Sequence, residues 1–141
     1  MKRPSATTVQ LLLNIDVADL AEAERFYVEA FDLRPGRRLG DGALELLGAP
    51  VPIYLLRKAE GSLAAGDGAR RRYARHWSPL HADVVVEDLD AALARALAAG
   101  ARQEGGVREA AWGRIVQIAD PFGHGWCLLQ FLGQGYDEIT S

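Results

Sequence analysis

Leu11-Leu12-Leu13-Asn14-Ile15-Asp16-Val17-Ala18-Asp19-Leu20 reads as a strand running into a helix cap, and the chain repeats it as Leu80-His81-Ala82-Asp83-Val84-Val85-Val86-Glu87-Asp88-Leu89. The copies stand 69 positions apart. In each, an apolar run leads to an aspartate, which suits an N-cap because its carboxylate can accept an N–H of the first helical turn. Glu22, three residues beyond Asp19, adds a capping-box signal. Leu20, Ala23, Phe26, Tyr27 and Ala30 follow at helical spacing and predict an amphipathic helix over 20–31. Ala91 to Ala99, stopped by Gly100, predicts its counterpart.

Around each copy the remaining segments read as short strands. Pro35-Gly36 ends the first helical pattern, and Arg37–Leu39, Ala43–Leu47 and Val51–Arg57 follow as strand candidates. Residues 9–57 thus read β-α-β-β-β. Residues 58–79 are polar and carry Arg70, Arg71, Arg72 and Arg75, so they read as a linker or flap. Residues 80–132 repeat the scheme, with strands at His81–Val86, Ala101–Glu104, Arg114–Ala119 and Trp126–Phe131. Gly105-Gly106 and Asp120-Pro121-Phe122-Gly123 are the predicted turns, and 133–141 form a tail. The expected fold is α+β, one domain over 1–141. Two tandem βαβββ modules, related by a pseudo-twofold axis, form a cupped mixed sheet around a cleft. A cleft between such halves collects side chains from both.

The bulk numbers narrow the function classes. With 49% apolar and 25% charged residues among 141, the composition is that of an ordinary globular domain. A net charge of −3 argues against a nucleic-acid partner, which calls for a basic face. The Leu11–Leu13 run is far short of the roughly 20 apolar residues that cross a bilayer. Met1-Lys2-Arg3-Pro4 does not open a leader pattern. One cysteine, Cys127, fits a reducing cytoplasm. Neither a Ser-His-Asp nor a Cys-His-Asn triad can be assembled around His76, His81 and His124, and no glycine run ends in the Lys-Ser/Thr of a phosphate loop.

Val17-Ala18-Asp19 with Phe26-Tyr27 and Phe31-Asp32-Leu33, then His81, Val86-Glu87-Asp88, Gly100-Ala101 and Ala119-Asp120-Pro121-Phe122-Gly123-His124 with Trp126, resemble the vicinal oxygen chelate superfamily. This group holds glyoxalase I, extradiol dioxygenases and bleomycin-resistance proteins. The resemblance spans roughly 9–131. It implies homodimers and, in the enzymes, a divalent metal held by His, Gln and Glu near the start of each module's first strand and in its last strand. Those positions fall on Leu12, Tyr54, His81 and Cys127. Leucine cannot bind metal, and tyrosine is an unusual ligand.

Alternation along the strands predicts a cleft face of Leu12, Asn14 and Asp16 from one half and His81, Asp83 and Val85 from the other. Tyr54, Trp77, Trp112 and Trp126 are the expected aromatic walls, suited to a flat or cationic small molecule. The predicted ligand-binding set is Asn14, Tyr54, Trp77, His81, Asp83, Trp112 and Cys127. Asp19 and Asp88 read as caps rather than acids. Cys127 reads first as a packed small side chain, and His124 as a hydrogen-bonder of its turn. The first expectation is a protein that binds a small aromatic or amphipathic molecule without cofactor or metal. The alternative is a metal-dependent lyase, isomerase or dioxygenase using His81 and Cys127. A structural partner-binding module is the third.

Overall fold

The computed structural model describes residues 9–141; Met1 to Pro4, read above for a leader, lie outside the described residues. The first module runs β1 (Leu13–Val17), α1 (Leu20–Phe31), β2 (Arg34–Leu39), β3 (Ala43–Leu47) and β4 (Ile53–Arg57). The second runs β5 (Ala82–Val85), α2 (Leu89–Ala99), β6 (Arg102–Ala110), β7 (Gly113–Ala119) and β8 (Gly125–Phe131). Each builds a four-stranded mixed sheet with one topology, β1-β4-β3-β2 and β5-β8-β7-β6. In each, the strand before the helix pairs parallel to the module's last strand.

The duplicated caps act alike. The Asp19 carboxylate accepts the Glu22 N–H and that of Asp88 the Ala91 N–H, both at 3.1 Å. Beyond the helices the chain turns left-handed, at Asp32 with φ 56° and at Gly100 with φ 121°. Gly100 needs no Cβ there, and the Ala101 N–H bonds the Ala96 carbonyl as the helix ends.

One core serves both modules. Ala23, Phe26, Tyr27 and Ala30 of α1 and Leu89, Ala92, Ala96 and Ala99 of α2 are buried together with Ile15, Val17, Leu44, Leu46 and Leu55 of the first sheet. Val116, Ile118, Trp126 and Leu128 complete it from the second. Side chains alternate across a strand, so Asn14, Asp16, Glu45, Tyr54 and Leu56 lie on the other face of the first sheet. His81, Asp83, Val85, Glu104, Gln117 and Cys127 lie on that of the second.

Asp120 joins the modules. It is 6% exposed and accepts hydrogen bonds from the Phe122 N–H (2.8 Å), the His124 N–H (3.0 Å) and the Trp126 indole (3.1 Å). It also accepts from the Tyr27 hydroxyl on α1. The rings of Tyr27, Phe31 and Trp126 pack within 6 Å of one another around this carboxylate. Burial, then the neighbouring Asp120 charge, pushes the Tyr27 phenol well above its ordinary pKa.

One expectation changes, and the linker gains its contacts. Gly105-Gly106 is not a turn, because the register shifts between Glu104 and Arg108 and the glycines sit in an irregularity within a nine-residue β6. The second half of residues 58–79 is tied to both modules. Arg71 pairs with Asp16 at 2.7 Å and Arg75 with Glu104 at 2.8 Å. The strap passes so close to the turn before β8 that a Cβ on Gly123 would overlap the Tyr73 carbonyl, and one on Gly125 the Arg75 guanidinium.

Candidate functional site

A cavity of about 600 Å³ opens where the modules meet. Edge strand β1 supplies Leu13, Asn14, Ile15 and Asp16, and β4 supplies Leu56. The end of the strap supplies His76, Ser78 and Leu80; His81 and Ala82 begin the second module, and Gly123 to Trp126 close the far side. All three histidines of the chain stand on this wall. His124 donates from Nε2 to the Asp16 carbonyl at 2.8 Å, which clasps the modules across the cavity mouth. His76 hydrogen-bonds the Ala74 carbonyl through Nδ1 at 3.1 Å, and Trp77 packs its ring 4.9 Å from that of His81.

Next to the cavity, His81, Asp83 and Cys127 form a cluster whose donor atoms all lie within 4.8 Å of one another. Asp83 and Cys127 face each other across β5 and β8 as register partners. His81 Nε2 stands 3.9 Å from the Asp83 carboxylate. Burial, then the charge and hydrogen bonding of Asp83, raise the Cys127 thiol above its ordinary pKa, and Arg108 opposes them weakly. At neutral pH Cys127 is therefore held as a thiol, not poised as a nucleophile.

The structure brings the expected residues together unevenly. Asn14 and His81 line the cavity; Trp77 packs on His81; Asp83 and Cys127 adjoin it. Tyr54 faces the same side of the first sheet, its hydroxyl donating to Glu45 at 3.4 Å. Trp112 does not join them. It sits at the β6–β7 hairpin and packs on Tyr136, ring centroids 5.4 Å apart, because the bulge in β6 carries the hairpin onward to the tail. Trp126 turns its ring into the intermodule core, so imidazoles and aliphatic side chains replace most of the expected aromatic wall. Leu12 is 54% exposed just ahead of β1 and is not a lining residue.

His76, Ser78 and Leu80 went unread as cavity residues. Their spacing by two is the signal of an extended segment with one face turned inward, hidden by the polar composition of the strap.

Paired βαβββ modules with a cavity at their junction define the vicinal oxygen chelate fold. The profile of the glyoxalase-like domain family matches residues 12–129, and the chain belongs to that family. It is 33% identical to the uncharacterized protein Mb0911c of Mycobacterium bovis over 134 residues, 89% of this chain and 86% of that one. The fosfomycin resistance protein FosX of Mesorhizobium loti superposes with a TM-score of 0.68 at 18% identity, covering 96% of this chain and 100% of that one. A glyoxalase/bleomycin resistance protein/dioxygenase family enzyme of Burkholderia phytofirmans PsJN gives 0.68 at 15% identity, covering 88% and 100%.

The residues present do not make the metal set that the superfamily implies. Leu12 has no donor atom, and the Tyr54 hydroxyl is directed to Glu45. The remaining donors, His81 and Cys127, both belong to the second module.

Proposed function

We propose that the protein binds a small aromatic or amphipathic molecule in the cavity between its modules, without a metal shared between them. The cavity itself carries the reading. Its volume lies in the range of small-molecule sites, and its lining combines an apolar wall (Leu13, Ile15, Leu56, Leu80) with a few polar groups, Asn14, His76 and His81. Burying about 200 Å² of ligand apolar surface contributes about 5 kcal/mol at roughly 25 cal/mol per Å². Association costs about 4 kcal/mol or more, so affinity rests on the polar groups as well. Trp77 and Asp83 flank the His81 ring, which orients the ligand.

A homodimer belongs to this reading. Val9, Leu11 and Leu12 lead into edge strand β1 and are 66%, 73% and 54% exposed; Leu80, ahead of edge strand β5, is 89% exposed. Two open strand edges flanked by apolar side chains are a liability unless covered, and a second copy covers them. Light scattering on the purified chain at micromolar concentration is expected to give twice the monomer mass. A cytoplasmic setting fits the single free thiol. No described helix is long and apolar enough to cross a membrane.

Titration with 8-anilinonaphthalene-1-sulfonate, an aromatic amphiphile, tests the cavity. The expected outcome is saturable binding at one site per chain. Leu56→Arg, which places a guanidinium into the cavity from a partly exposed position, should weaken it at least about tenfold while leaving the unfolding midpoint nearly unchanged. Binding unaffected by Leu56→Arg would refute the reading.

A further inference from the structure

We infer that residues 76–79 form a lid on the cavity between the modules, and that the Arg75–Glu104 pair at its base sets how fast a ligand enters and leaves. The lid rests on the cavity reading and adds a moving part to it.

The chain is held unevenly here. At the base the packing is tight. Arg75 donates from Nε and Nη2 to the two Glu104 carboxylate oxygens at 2.9 and 2.8 Å. Only glycine at 123 and 125 leaves room for the Tyr73 carbonyl and the Arg75 guanidinium to pass. Beyond Arg75 the hold ends. Among the described residues, no hydrogen bond between main-chain groups ties 72–80 to another segment. His76 Nδ1 bonds the Ala74 carbonyl and the Ser78 hydroxyl donates to the Leu80 carbonyl, so these bonds stay within the strap. Trp77 packs on His81 yet remains 52% exposed. Segments with so few partners open at the low end of a fold's stability range.

Space lies on both sides of the segment. His76 and Ser78 form part of the wall of the cavity of about 600 Å³ between the modules. A second cavity of about 580 Å³ separates Arg75, His76 and Trp77 from Glu104 of β6 and Gln117 of β7. His76 borders both. The other walls of the first cavity are β1, β4, the start of β5 and the turn before β8, all built into sheets or held by main-chain hydrogen bonds. The lid is the wall that yields.

The base is also releasable. Arg75 Nη1 is buried and has no acceptor. A buried donor left unpaired destabilises the arrangement that buries it, and lifting the guanidinium into water satisfies it.

The test compares Glu104→Gln with Glu45→Gln, which breaks the matching Arg37 pair of the first module. Stopped-flow fluorescence with 8-anilinonaphthalene-1-sulfonate reads entry and exit. In the parent chain the observed rate should level off as the dye concentration rises, because lid opening becomes limiting. Glu104→Gln and Arg75→Gln should each raise that plateau and the dissociation rate at least about fivefold, while Glu45→Gln leaves both unchanged. Limited trypsin digestion gives a second readout that needs no ligand. Glu104→Gln should speed cleavage after Arg72 and Arg75 by a similar factor and leave cleavage after Arg95, in α2, as slow as before. Dye rates and cleavage equal to those of the parent chain would overturn the lid. Faster cleavage after Arg95 as well would also overturn it, because the substitution would then be loosening the whole fold. A dye that fails to bind refutes the cavity reading alone, and the trypsin comparison then decides the lid.

Discussion

The same row of positions crosses both sheets, and the two modules fill it differently. In the first, Asn14, Tyr54 and Glu45 lie side by side in register, and Arg37 closes the end by pairing with Glu45. In the second, Asp83, Cys127, Gln117 and Glu104 follow one another, and Arg75 closes the end by pairing with Glu104. Both rows start with a short polar side chain and finish in a charged pair. Between them, a tyrosine occupies the first row and a small thiol leaves room in the second. Packing constrains the core faces of a duplicated scaffold. The opposite faces are free to diverge, and here the donor-bearing row is the one with the smaller central residue.

The turns before the last strands diverge too. Gly48-Ala49-Pro50-Val51-Pro52 in the first module has no acid, whereas the second has Asp120, which binds its own turn and reaches α1. Replacing that acid is the harshest way to break the comparison. Asp120→Ala strands the Tyr27 hydroxyl, the Trp126 indole and two backbone N–H groups in a buried place. It should cost about 3–5 kcal/mol, read as a lower urea midpoint. Gly125→Val comes next. Its side chain would displace the Arg75 guanidinium and release the strap from Glu104. The expected loss is about 1–3 kcal/mol, and Gly48→Ala is not a fair match because that glycine has φ 116°.

The mildest test sharpens the comparison through pH. Hydrogen bonds from Arg37 hold the Glu45 carboxyl at about 2 against an ordinary 4.5, and Arg75 lowers Glu104 in the same way. A carboxyl depressed by folding contributes stability above its unfolded pKa and loses it as pH falls through the folded one. Both rows should therefore weaken on acidification from about pH 4.5 towards 2. Arg37→Gln and Arg75→Gln should each flatten that decline in urea melts. The Arg75 effect should persist better in salt, because its side chain is 17% exposed against 71% for Arg37.

The duplicated cap, the helix over 20–31 and the βαβββ order were legible in the sequence because spacing and capping are local. The donor pair His81 and Asp83 was legible for the same reason, being two apart on one strand. Its meeting with Cys127 came through a family resemblance and not through any local pattern. The cavity wall from the strap was not legible. Residues 71–80 have no regular structure, and their path is set by Arg71 and Arg75 reaching partners 55 and 29 positions away. Trp112 was misplaced for a related reason: whether paired glycines make a turn or a bulge depends on the facing strand.

The three tryptophans report on the central claim directly. Trp77 packs on His81, Trp126 borders the cavity, and Trp112 lies apart on Tyr136. A two-dimensional NMR titration with 8-anilinonaphthalene-1-sulfonate should move the indole signals of Trp77 and Trp126 and leave that of Trp112 in place. Movement of Trp112 alone, or of none of the three at saturation, would contradict a binding cavity between the modules.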